Sequence, residues 1–279
     1  MDFAYLGTSG FAAGVLRRIC EAGSAPRLVV TRPDRPAGRG RKLAAPPVAE
    51  AAAGLGLELI QPEDVNSPDA LEAIGASEPA LLVVCAYGAL VGEALLDRYE
   101  ILNIHPSLLP RWRGAAPIER AIMAGDTGTG VSIMRLTAGL DSGPVCLAGE
   151  EPIHPDDTWG SLSARLEELG AQLLLEAMGS PRDYVEQDEG LVTWADKISA
   201  ADRTLDPSLP ADAQERVVRA LSPHVGARLE LADGSFLGVL AAHEEDGLLV
   251  PDRVLPPGGR EVDWADYLRG HDDPLAGRR

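Results

Sequence analysis

Along the first 178 residues, short uncharged apolar runs alternate with stretches whose apolar positions recur at helical spacing. Phe3 to Gly7 predicts a buried strand. After Thr8-Ser9-Gly10, Phe11 to Cys20 predicts an amphipathic helix. The unit repeats, with strands over Arg27 to Thr31, Leu57 to Gln61 and Ala80 to Ala86, and helices over Pro46 to Gly54 and Asp69 to Ile74. Ile101 to His105 and Val131 to Leu136 predict two further strands, with a helix over Pro117 to Ala124 between them. Asp157 to Met178 predicts a long helix with an acidic first turn and Leu162, Leu166, Leu169, Leu173 and Leu174 on its apolar side. None of these strands carries a polar face of period two. The pattern therefore predicts an α/β fold, a Rossmann-like parallel sheet covered on both faces, with ligand sites at the carboxyl ends of its strands.

After Gly190 the pattern changes. A polar connector, Thr193 to Ile198, leads to a short helix around Ala211 to Leu221 and to β-like runs at Ala227–Leu231, Phe236–Ala241, Leu248–Val250 and Arg253–Leu255. The expected division is a first domain over 1–188, a linker over 189–206 and a small β-rich domain over 207–279.

The chain has 279 residues, 45% of them hydrophobic, which suffices for two packed domains and argues against disorder. Its net charge of −18 argues against a surface that binds nucleic acid or anionic membrane as a whole. Cys20, Cys85 and Cys146 are too few and too scattered for a disulfide framework or a zinc set, and they read as small buried hydrophobes. No metal is expected. His154, His224, His243 and His271 stand apart beside acids or prolines and read as surface residues. The N-terminus reads as a first strand rather than a leader, and the longest uncharged stretch, Pro79 to Gly92, is 14 residues, short of the ~18 needed to span a bilayer. A cytoplasmic location and a monomer are expected.

Two segments carry candidate chemistry. Asn103 and His105 are two apart at the end of a predicted strand, so an amide donor and an imidazole share one face. Pro106 and Pro110 stiffen the loop that follows. Thr137 to Pro144 follows another predicted strand and offers Asp141 in a Gly-flanked turn, where a carboxylate could orient and charge that imidazole. A lone strand-end histidine is more often structural, but these neighbours favour the catalytic reading. Leu6-Gly7-Thr8-Ser9-Gly10 lacks the spacing of a dinucleotide fingerprint and reads as a tight turn that lets the first helix pack close to the sheet.

Asn103-Ile104-His105-Pro106-Ser107-Leu108-Leu109-Pro110-Arg111-Trp112-Arg113-Gly114, the later Leu140-Asp141-Ser142-Gly143-Pro144 and the arm from Asp34 to Lys42 resemble the 10-formyltetrahydrofolate-dependent formyltransferases, and among them the group that acts on methionyl-tRNA. The resemblance covers Met1 to about Ile198. It implies transfer of a formyl group from 10-formyltetrahydrofolate to methionyl initiator tRNA, an activity of translation initiation. By the family pattern Asn103, His105 and Asp141 are the catalytic trio: Asn103 and a protonated His105 stabilise the oxyanion and Asp141 assists proton transfer. The same pattern places Tyr87, Gly88, Ser107, Leu108, Leu109 and Pro110 at the folate, and Arg35, Arg39, Arg41 and Lys42 at the tRNA.

The charge bears on that last implication. Arg32 to Lys42 carries a local +4 in a chain of −18, with Pro and Gly between the arginines, as an arm following phosphates would need. Arg111 and Arg113 either add charge beside the loop or, for Arg113, pair with a local acid. The second domain is acidic, with nine Arg against fifteen Asp and Glu from Ala201 onward. It looks shorter than the family's carboxyl-terminal β-barrel, and the stretch before Val262 to Gly270 looks short of strands. Replacing Arg39 and Arg41 by Ala is therefore expected to raise the KM for tRNA far more than that for folate. A small amine such as an amino sugar nucleotide, which the same trio would serve, is the alternative acceptor.

Overall fold

A computed structural model describes residues 1–37 and 42–276, and the chain divides into two compact units. The first comprises Met1–Arg113, Gly130–Glu151 and Ala164–Trp194. Its sheet is built from β1 (Phe3–Gly7), β2 (Leu28–Val30), β3 (Leu59–Ile60), β4 (Leu81–Cys85), β5 (Ile101–His105), β6 (Gly128–Arg135) and β7 (Val145–Pro152), in the order β7-β6-β5-β4-β1-β2-β3. Every residue of β1, β4 and β5 is buried, which is why these strands read as continuous apolar runs. The strands from β5 across to β3 are parallel, but β6 runs antiparallel to β5 with Ser132 opposite His105.

The sheet is thus mixed, where the sequence predicts a parallel one. A parallel neighbour needs a crossover packed on the sheet, and the helix between β5 and β6 (Pro117–Ala124) is part of the other unit. The edge strand β7 has no counterpart in the sequence reading. It is half-exposed, with Ala148 and Glu150 in solvent, and its apolar run, Val145 to Gly149, ends in Glu150-Glu151-Pro152, so it lacks the signature of a central strand.

The helices are α1 (Gly10–Glu21), α2 (Pro47–Leu55), α3 (Pro68–Ala76), α4 (Glu93–Leu96), α5 (Pro117–Ala124), α6 (Trp159–Gly179), α7 (Ala211–Leu221) and α8 (Trp264–Leu268). Ser9 caps α1 by accepting from the Ala12 N–H, and Phe11, Val15 and Ile19 make its buried stripe. Gly7 lets that helix sit close: a Cβ there would lie 2.8 Å from the Tyr5 ring and 2.9 Å from the Ala12 methyl. The β1–α1 connection is a packing turn.

At the end of β5 away from His105, Glu100 takes both Arg182 (2.5 and 3.2 Å) and the Tyr184 hydroxyl (2.6 Å), while the Arg135 guanidinium lies over the Tyr184 ring. The Arg182 hydrogen bond, with help from Tyr184, holds Glu100 below its usual 4.5 against the burial that would raise it. A depressed carboxyl contributes stability that is fully present above its unfolded value and is lost as pH falls through the folded one. The melting-temperature gap between the native chain and Glu100→Gln should therefore be full at pH 7 and should close below pH 4.5. Melting curves on the acid side check this, and a gap independent of pH would contradict it.

The second unit comprises Gly114–Thr129, Pro152–Ser163 and the described part of Ala195–Arg279. Its sheet is antiparallel in the order β8 (Ala227–Glu230), β9 (Phe236–Glu245), β10 (Leu248–Leu255), β11 (Val262–Asp263). Val218 and Leu221 of α7, Leu229, Leu237, Val239 and Val254 of the sheet, and Trp264 and Tyr267 of α8 form its core. The stretch before Val262 is not short of strands: β9 and β10 are longer than the apolar runs suggest, and Leu248–Val250 and Arg253–Leu255 belong to one strand. β9 continues through His243, Glu244 and Glu245 to a two-residue turn, Asp246-Gly247, in which both residues have positive φ. The charged end of the strand faces solvent, which hides the hairpin from a hydrophobicity reading. His224 is also less isolated than the sequence suggests: its ring stacks on Trp159 at 3.9 Å and its Nε2 lies 2.9 Å from Glu119.

Candidate active site

Strand β5 ends in Asn103-Ile104-His105, and the pleat puts the two polar side chains on one face. Both are enclosed, Asn103 at 7% and His105 at 4% exposure. They converge on Asp141: the Asn103 Nδ2 is 3.4 Å from Oδ1, and the His105 Nδ1 is 3.7 Å from Oδ2. The other imidazole nitrogen is committed, since His105 Nε2 lies 2.8 Å from the Trp112 carbonyl oxygen. A carbonyl can only accept, so Nε2 carries the hydrogen and Nδ1 is the atom turned to Asp141. On that side the neutral ring offers a lone pair and the protonated ring offers an N–H.

Asp141 sits in the turn after β6 with φ +46°, a left-handed conformation that Asp tolerates better than most residues. Gly143 is required there, because a Cβ at that position would collide with the Arg135 carbonyl oxygen. The loop after β5 is held from several sides. Ser107 donates to the Arg111 carbonyl (2.7 Å), and Ser132 donates to the Ser107 carbonyl (2.8 Å) while accepting from the Leu109 N–H (3.1 Å). Further along, the Trp112 N–H donates to Thr193 Oγ1 and the Arg113 N–H to the Thr193 carbonyl, both at 2.9 Å.

An amide donor, an imidazole of fixed tautomer and a carboxylate within about one side chain of each other can stabilise charge on a carbonyl oxygen and move a proton beside it. The formyl transferase family matches this chain over residues 2–178. A methionyl-tRNA formyltransferase from Halorhodospira halophila is 43% identical over 296 residues, covering 95% of each chain. The chain belongs to the formyltransferase family. Among solved structures, the methionyl-tRNA formyltransferase from Clostridium thermocellum shares the fold at 14% identity, with a TM-score of 0.67 over 94% of this chain and 99% of that one. HypX from Aquifex aeolicus, solved in complex with tetrahydrofolic acid, shares it at 18% identity, with a TM-score of 0.66 over 95% of this chain and 46% of that one.

In this formyltransferase the other expected site residues fall into two places. Ser107 to Pro110 forms the loop directly after His105, with a cis bond before Pro110. Tyr87 and Gly88 follow β4 and line a cavity of about 450 Å³ at the carboxyl ends of β1, β2 and β4, together with Thr8, Ser9, Arg32 and Arg35. The trio is not among that cavity's lining residues. Tyr87 is buried, and its backbone carbonyl accepts from Thr8 Oγ1 at 2.7 Å. Arg32 donates to the Gly88 carbonyl at 2.7 Å.

On the basic arm, Arg35 and Lys42 belong to a short antiparallel pair, Arg35–Ala37 with Lys42–Ala44. Arg35 is exposed and pairs with Glu63 at 2.5 Å. Arg39 and Arg41 lie outside the described residues. Arg113 takes the ion-pair alternative: at 2% exposure it forms a two-pronged contact with Glu189 (2.8 and 3.1 Å), whose carboxyl its hydrogen bond holds below the usual range. Among the described residues no group of three or more His, Cys, Asp or Glu is placed to hold a metal, and no helix is long and apolar enough to cross a membrane.

Proposed function

We propose that this chain transfers the formyl group of 10-formyltetrahydrofolate to the amino group of methionyl initiator tRNA, in the cytoplasm. The observation that carries the reading is the convergence of Asn103 and His105 on Asp141 in a chain 43% identical, across 95% of both lengths, to a methionyl-tRNA formyltransferase.

As the amine adds to the formyl carbon, negative charge gathers on the formyl oxygen, and the Asn103 N–H donates to it. His105 is the second donor. Its Nε2–H is already given to Trp112, so only the protonated ring has an Nδ1–H to offer on this side. Asp141, 3.7 Å from Nδ1, takes the proton that the amine releases, and that proton leaves with the departing folate nitrogen. Folate lies along Ser107, Leu108, Leu109 and Pro110 and reaches the backbone at Tyr87 and Gly88. Arg35, Arg39, Arg41 and Lys42 follow the tRNA phosphates, so binding should weaken steeply with salt.

The test is a kcat/KM comparison with 10-formyltetrahydrofolate as donor and either charged initiator tRNA or an amino sugar nucleotide as acceptor. Formylation of the tRNA is the expected result; formylation of the sugar alone would overturn the assignment.

A further inference from the structure

We infer that Gln187, its amide locked by the buried Arg113, is a positioning residue that sets the place of the Asp141 carboxylate by holding the backbone of Asp141's own turn. The inference rests on the role proposed above for Asp141.

The Gln187 amide commits both of its N–H groups and its carbonyl oxygen within one unit of the fold. Its Nε2 donates to the Asp141 carbonyl at 2.8 Å and to the Gly143 carbonyl at 2.7 Å, and its Oε1 accepts from Arg113 Nε at 2.9 Å. A guanidinium has no acceptor, so the amide can take only this orientation, with both N–H groups toward the turn. Arg113 cannot swing away, because it is 2% exposed, its other two nitrogens hold Glu189, and its own N–H is bound to Thr193.

The turn needs such support. Asp141 is at φ +46°, a sparsely populated conformation that Asp tolerates but that its own side chain does not hold in place. The two Gln187 bonds fix the peptide groups that follow residues 141 and 143, and so fix the direction in which the Asp141 side chain leaves the backbone. The carboxylate reaches Asn103 at 3.4 Å and His105 at 3.7 Å, distances at which a small rotation of the turn would break the convergence.

Gln187→Glu keeps the shape and the acceptor for Arg113 but removes both donors. Misplacement of a reacting group by about 1 Å can lower a rate on the order of 10²-fold, and kcat is expected to fall by about 10- to 100-fold with folate affinity unchanged by calorimetry. Gln187→Met, which lacks both functions at similar size, should behave alike. In an Asp141→Asn background neither substitution should lower kcat further, because the group being positioned is already disabled.

Full activity in Gln187→Glu, an equal proportional loss in both backgrounds, or a parallel loss of folate affinity would overturn the inference. So would failure of both variants to fold by circular dichroism, since Gln187 would then serve the fold. Failure of the function itself reads differently: the native chain would not formylate methionyl-tRNA, or Asp141→Asn would match it.

Discussion

Asp141→Asn should lower kcat for formyl transfer by about 10²- to 10⁴-fold, the range that a positioned acid or base contributes, with folate affinity unchanged. The substitution removes one charge and one proton acceptor at nearly constant size. Asn tolerates the left-handed backbone that Asp141 adopts at φ +46°, so the turn keeps its shape. Its Oδ1 can still accept from Asn103, and the Gln187 bonds go to backbone carbonyls that the change does not touch. The proton from the attacking amine then has no carboxylate to receive it beside His105. Steady-state kinetics with calorimetric titration of folate separate the two quantities, and a parallel fall of both would contradict the assigned role.

Asn103→Ala should lower kcat by about 10²- to 10³-fold, the usual result of removing one oxyanion donor, equivalent to about 2.7–4 kcal/mol. The donor matters most when charge has developed on the formyl oxygen, so the loss belongs in kcat rather than KM. Fold stability should suffer less. The only hydrogen bond described for the Asn103 side chain is the long one to Asp141, whose carboxylate is 13% exposed and reaches solvent. A raised KM at unchanged kcat would reassign Asn103 to ground-state binding.

Much of this site is legible in the sequence because its main residues sit on regular elements. The alternation of buried apolar runs with helical spacing reveals strands β1, β4 and β5, and a strand's two-residue period alone puts Asn103 and His105 on one face. Asp141 is marked by its Gly-flanked turn. Beyond these, local pattern is silent. Edge strand β7 is half-exposed and turns acidic after Gly149, and the antiparallel direction of β6 is a matter of connection rather than of local pattern. Ser132, a lone polar residue in the run Val131-Ser132-Ile133-Met134, is a local sign of a supporting contact; it lies opposite His105 on the neighbouring strand and braces the loop. The residues that fix the trio act over long separations. Gln187 reaches Asp141 across 46 residues, and Thr193 reaches Trp112 across 81, each through a backbone group that no side-chain pattern encodes.

The basic arm shows the same division. Its local charge is plain from Arg32 to Lys42 against a net −18, but Arg113, an equal candidate for phosphate by composition, is spent inside the fold on Glu189 and Gln187. Charge counting finds cations and cannot say which are already paired.

In the proposed reaction one carboxylate, one amide and one imidazole of fixed tautomer carry out formyl transfer to methionyl-tRNA. Its most direct test is a single-turnover experiment in which the chain, saturated with 10-formyltetrahydrofolate, is mixed with charged initiator tRNA, for the native protein and for Asn103→Ala and Asp141→Asn. Formylmethionyl-tRNA should form in the native reaction, and each variant should form it about 10²-fold more slowly or worse at equal folate occupancy. Native-like rates in both variants, or no formylated tRNA from the native chain, would contradict the account.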